Sequence, residues 1–148
     1  ALSNGQLAAI DPDHLQALST SGLVGLSTAQ IQSLSTLQIS SLTADQVLHL
    51  SSTQLTALQP AQVSSLANDA VAVLSSSQVR ALTTEQIQAL TLQQMPSITL
   101  ESVGALNTSQ VVALSSEQMS VLSGAQLAAF TATQITVMSV EQKAVLGL

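Results

Sequence analysis

The chain has 148 residues, of which 46% are hydrophobic, 1% aromatic and 7% charged. That is enough apolar material for one folded core, set in a polar remainder of mostly Ser, Thr and Gln. A net charge of -6 leaves no cationic face to neutralise phosphates, which excludes nucleic acid as a partner, and polar residues interrupt every apolar run before the roughly 18 residues of a membrane span, which excludes membrane insertion.

Without cysteine there are neither disulfides nor thiolate metal sites, and the redox compartment stays open. No initiator Met and no basic segment followed by an apolar run opens the chain, so it reads as a mature or excised piece.

From Leu2 onward the chain divides into 18 octads without an insertion or deletion, residues 2–145, and 146–148 are the remnant of a further repeat or the chain end. Octad position 1 is Leu in 14 units, the exceptions being Ile10, Ile98, Phe130 and Met138. Position 5 is Gln except at His14, Gly22, Ala70 and Ser102, and position 6 is aliphatic or Met except at Lys143.

One continuous helix would turn about 800° per octad, so its apolar positions would drift around the axis. In a strand, positions 1 and 6 would point to opposite faces, and a tight β-coil would want a turn glycine in nearly every unit. Only six glycines are present. A short helix in each octad accounts for all positions. Position 2 is Ser, Thr, Asp or Asn in 16 units and caps the helix. Gln three residues later completes a capping box, and the residues at positions 1 and 6 form a hydrophobic staple.

Taken in chain order, the first octad is LSNGQLAA, whose Leu2 and Leu7 give it a full apolar set for stacking at that end. The second contains Asp11-Pro12-Asp13-His14, a brief semblance of a metal cluster whose residues occupy cap, first-turn and Gln positions. Pro12, and Pro60 further on, fall at the first helical position, where the missing N–H costs nothing. Seven of the eight acids fall in a first turn, where the helix dipole favours negative charge. His49 stands at the small-residue position 8 with no zinc spacing to an acid.

The octad LANDAVAV, 66–73, lacks a cap at Ala67, and Asn68 is expected to cap one residue late. LSSSQVRA, 74–81, and LTTEQIQA, 82–89, follow the consensus. In LTLQQMPS and ITLESVGA, 90–105, Pro96 lies at the fifth helical position, Gly104 breaks the next unit, and Leu92 and Leu100 stand at the usually polar position 3. This segment reads as a bend in the array or as an apolar contact site for another chain. Asn107-Thr108-Ser109 matches a glycosylation sequon, but Asn107 is in the cap position. Met95, Met119 and Met138 read as packing. Lys143 places a charge at a core position of the last octad, MSVEQKAV, which suits the end of an array.

The octads resemble the Leu-Thr-Thr-x-Gln-Val/Ile-x-Ala repeat arrays of very large bacterial secreted exoproteins of the haem-utilisation and adhesion type. The resemblance covers the whole chain, with LTTEQIQA the closest unit and LANDAVAV among the poorest. It implies an extracellular or cell-surface setting and no particular chemistry, and no octad matches a haem-ligating motif.

The expected architecture is therefore an all-α solenoid of 18 very short helices, each octad contacting its sequence neighbours, in an elongated body. No catalytic, cofactor-binding or metal site is expected. The expected function is structural: a spacer or stalk, or an element that joins end to end with copies of itself through Leu2, Leu7 and the end bearing Lys143. The alternative is a scaffold that holds a peptide, another protein or a surface glycan.

Overall fold

A computed structural model of the chain describes residues 3–148. Every octad carries one helical element. Seventeen are α-helices of five or six residues, running from Asn4–Ala8 to Val140–Val145, and one is a 3-10 helix, Met95–Ser97. No strand occurs among the described residues. Each α-helix begins at octad position 3, one residue after its cap.

The cap residue is extended, as at Ser35 with φ -69° and ψ 159°, and its hydroxyl accepts the N–H of Gln38. The Gln38 side-chain oxygen in turn accepts the Ser35 N–H at 2.9 Å. A five-residue helix leaves most of its first N–H groups without helical partners, and this reciprocal pair satisfies two of them in most units, the helices at Pro12–Gln16, Thr20–Val24, Asn68–Ala72 and Leu100–Ala105 being without it.

No interior helix stops on a left-handed residue, Gly25 after Thr20–Val24 included, with φ -72°. The N–H of the position 1 residue donates to the carbonyl of position 6, as from Leu90 to Ile87 at 3.3 Å. Positions 1 and 2 of the next octad are then extended, as at Leu82 with φ -56° and ψ 144° and Thr83 with φ -72° and ψ 163°. The chain thus redirects on two ordinary residues. The sole positive φ among the described residues is that of Gly147, where the last helix ends with Gly147 N–H donating to Ala144 and Leu148 N–H to Lys143, a Schellman stop.

The octads do not pack chiefly on their sequence neighbours, which corrects that expectation. Thr84–Ala89 packs on Pro60–Ser65 and on Thr108–Ala113, and Pro60–Ser65 packs on Thr36–Ser40, each partner lying three octads away. The chain winds into an all-α solenoid with between three and four octads per turn, roughly five turns in all. Position 1 and position 6 side chains from Leu7 to Met138 form one continuous core inside it. The exposed area of 6885 Å² matches the ~7,000 Å² of a globular protein of this mass, so the winding is tight and the body is more compact than neighbour-only contact would give.

Candidate functional site: the glutamine ladder and the open end

Position 5 carries the molecule's distinctive chemistry. Gln86 shows the arrangement: Oε1 accepts the N–H of Thr83 at 2.9 Å, while Nε2 donates to the carbonyl of Leu55 at 2.8 Å and of Leu58 at 2.7 Å, one turn earlier. Gln38 does the same to Leu7 and Ile10, Gln110 to Val79 and Leu82, and Gln142 to Val111 and Leu114. The partners lie 31 and 28 residues back, and eight of the glutamines also reach the carbonyl 30 residues back. From Gln38 onward these side chains are buried to 6% exposure or less, and no buried side-chain N or O atom among the described residues lacks a partner. One amide thus caps its own helix with its oxygen and fastens its turn to the previous one with its nitrogen. Each buried bond of this kind contributes about 1 kcal/mol net, and leaving either side unpaired costs more.

The departures from Gln fall in place. His14 and Gly22 stand in the first turn, which has no earlier described turn to reach. Ser102 is too short for both acceptors and reaches only the Leu74 carbonyl, at 3.3 Å. Ala70 reaches none and leaves the Ile39 and Leu42 carbonyls without the ladder bond.

The ladder also gives the superhelix two different ends. In the first turn Gln6 and His14 are exposed at position 5, and at position 1 Ile10 and Leu18 are only partly buried. In the last turn the position 6 residues Leu127 and Ile135 are only partly buried, whereas their counterparts from Leu7 to Met119 are 2% exposed or less. Leu127 and Ile135, with Ala128, Phe130, Leu146 and Leu148, border an open cavity of about 400 Å³.

The octad register, the cap at position 2 and the Gln at position 5 agree with a family model described as the ALTTAQ repeat, which matches residues 7–44, 20–52 and 68–100, together more than half of the chain. The chain belongs to the ALTTAQ repeat family. No curated protein matches it. The six letters of the repeat run from octad position 8 to position 5, as in Ala81-Leu82-Thr83-Thr84-Glu85-Gln86.

On the ALTTAQ register the residues singled out in the sequence take these places. Leu92 and Leu100 are 43% and 50% exposed, and Pro96 is exposed. Gly104 is half-buried, with its α-carbon facing the carbonyl of Ala129 one turn on and its own carbonyl accepting from Gln134 Nε2 at 3.3 Å, so it belongs to the turn-to-turn interface. Pro96 does not interrupt the winding. Its octad forms a 3-10 helix after the capped turn Thr91 to Gln94, and Gln94 still donates to Val63 and Leu66. Proline removes one i to i−4 bond, and the tighter 3-10 turn absorbs that loss locally.

Leu2 lies outside the described residues. Leu7 is fully buried beneath the next turn, which corrects its assignment as an end-stacking residue. Lys143 is half-buried in the last turn, its carbonyl accepting from Leu146 and Leu148. Asn68 does not cap: the helix begins at Asn68 itself with Ala67 as an uncapped start, and the carboxylate of Asp69 accepts the N–H of Ala70 instead.

Asp11 caps its helix by accepting the His14 N–H at 3.1 Å, and its other oxygen contacts the His14 ring. The backbone N–H of His14 first, and its ring second, hold the Asp11 carboxyl below the usual range. Glu141 is likewise lowered, by its own backbone N–H and then by Ser139. His49 Nδ1 lies 2.7 Å from the Asp45 carbonyl. Among the described residues no three His, Asp or Glu side chains gather as a metal site. Asn107 caps, with Oδ1 accepting the Gln110 N–H at 2.9 Å.

Sequence reasoning read Gln only as a cap. The signal for its second role was present: a capping box accepts Glu as readily as Gln, yet no Glu or Asp stands at position 5 while acids recur at position 4. That choice marks a donor requirement.

Proposed function

We propose that this chain is a non-enzymatic structural element, a spacer or stalk whose length is set by the number of octads, in a bacterial extracellular or surface protein. The setting comes from the resemblance to secreted exoprotein arrays. The observation that carries the reading is the ladder itself: from Gln38 to Gln142 each turn is fastened to the one before by the same kind of bonds, at separations of 28 and 31 residues, broken only at Ala70 and shortened at Ser102. Turns joined by one repeated interface add length without changing structure. The same interface suits end-to-end joining of copies.

A scaffold for a peptide or glycan has less support. The shallow groove of Thr108, Ser109, Val112 and Val137 offers no charged or aromatic side chain to grip either.

Duplicating residues 34–89 tests the spacer reading. With helices of successive turns about 9 Å apart, two added turns should lengthen the particle by ~20 Å in solution scattering at unchanged cross-section. A globular expansion, or loss of cooperative unfolding, would overturn it.

A further inference from the structure

Departures from the repeat that are scattered over residues 67–102 meet in space at one helix. Asn68–Ala72 starts from Ala67, which makes no cap bond. Its position 5 residue, Ala70, offers no amide, so the carbonyls of Ile39 and Leu42 in the previous turn receive none. In the next turn Ser102 stands where a glutamine would reach the carbonyls of Val71 and Leu74, and its hydroxyl donates to Leu74 alone, at 3.3 Å. The helix therefore gives no ladder bond and takes none. The unit of the next turn that packs on it is Met95–Ser97, the 3-10 helix that contains Pro96. Around the segment, by contrast, the fastening is complete. The carbonyl of Leu66, just before it, accepts Gln94 Nε2 at 2.7 Å. The octads on either side donate full pairs, Gln62 to Ile31 and Leu34 and Gln78 to Val47 and Leu50. Burial of Ala70 and Val71, 0% and 1% exposed, is what keeps this helix in the wall.

We propose that Asn68–Ala72 is a yielding segment, which swings out of the solenoid wall as a unit between the points held at Leu66 and Leu74 while the turns on either side stay closed. Each buried hydrogen bond shifts an opening equilibrium by about fivefold. Two such bonds are missing at Ala70, one at Ser102 and one at the Ala67 cap, so this helix opens at least about thirtyfold more readily than its neighbours even where the losses overlap. As a joint, the segment rests on the spacer reading above. A stalk built from one repeated interface has no preferred place to give way, and here the sequence supplies one by omitting the fastening on both sides of a single helix.

Native-state hydrogen exchange of the whole chain, followed amide by amide at several denaturant concentrations below the unfolding transition, tests it. The amides of Val71 and Leu74 donate to Ala67 at 3.0 Å and to Val71 at 3.2 Å, and those of Val79 and Leu82 make the same bonds one octad later, to Ser75 at 2.9 Å and to Val79 at 3.2 Å. After correction for intrinsic rates, the first pair should exchange at least about thirtyfold faster than the second. Its rate should scarcely depend on denaturant, the mark of an opening that exposes little surface. Ser102→Gln restores the bonds from the next turn and Ala67→Ser restores the cap. Each should slow the Val71 and Leu74 amides at least about threefold and leave Val79 and Leu82 unchanged. Equal protection of Val71 and Val79, a Val71 rate that follows global unfolding, or no response to either variant would overturn the proposal. Particle length in the duplication experiment depends on none of these rates, so the joint and the spacer fail separately.

Discussion

The glutamine side chain at position 5 presents an acceptor to its own helix and two donors to the turn before, and substitutions separate these roles. Gln86→Glu keeps the acceptor for Thr83 but turns a carboxylate toward the Leu55 and Leu58 carbonyls, which lie within 2.8 Å, in a site only 1% exposed. An unpaired buried charge of this kind should cost about 3 kcal/mol or more at neutral pH. Burial beside oxygen dipoles raises the carboxyl's folded pKa above its unfolded value, so the deficit is smallest below about pH 4, where the protonated acid donates to one carbonyl, and grows as the pH rises. Denaturant unfolding at several pH values checks the sign. The cap is tested by Thr83→Ala, which removes the acceptor of the Gln86 N–H and should cost about 1 kcal/mol. Gln88→Ala, at an exposed position, should cost less than about 0.5 kcal/mol. Equal shifts in thermal midpoint would contradict the cap assignment.

At the scale of the helix, the octad LANDAVAV tests whether the ladder is a stabilising device. Ala70 is fully buried where twelve other octads donate a glutamine amide across the turn. Ala70→Gln should stabilise the chain by about 1 kcal/mol, read as a raised thermal midpoint. Helix starts were legible in the sequence because capping is local: Ser or Thr, the acid at position 4 and Gln at position 5 lie within four residues, and their spacing alone states the geometry. Helix partners were not legible. The direction in which one helix leaves the next is set by the extended backbone at positions 1 and 2, which Leu-Ser and Leu-Thr share with countless loops, so contact between octads three apart had no local signature. Pro96 misled for a related reason. Its effect on an α-helix is calculable from the sequence, but the option of a 3-10 turn that leaves Gln94 in place depends on packing against Val63 and Leu66.

At the scale of the whole molecule, Asp11 and Glu141 sit near opposite ends, and both carboxyls are lowered in the folded chain. Their contribution is therefore present above the ordinary carboxylate range and is lost as the pH falls through their lowered values. Amide exchange in Pro12–Gln16 and Val140–Val145 should accelerate below about pH 4, while amides around Gln86 remain protected. Uniform acceleration along the chain would show instead that acid acts on the core. Another consequence lies in the direction of the ladder, since every cross-turn amide points toward residues that precede it by 28 to 31 positions. A polypeptide that emerges with its N-terminus first, from a ribosome or through a secretion pore, always has the acceptors for its newest segment already laid down. Each arriving octad meets a finished template and none has to wait for sequence still to come. Threaded from the other end, the same chain would present donors with nothing to receive them until another thirty or so residues had appeared.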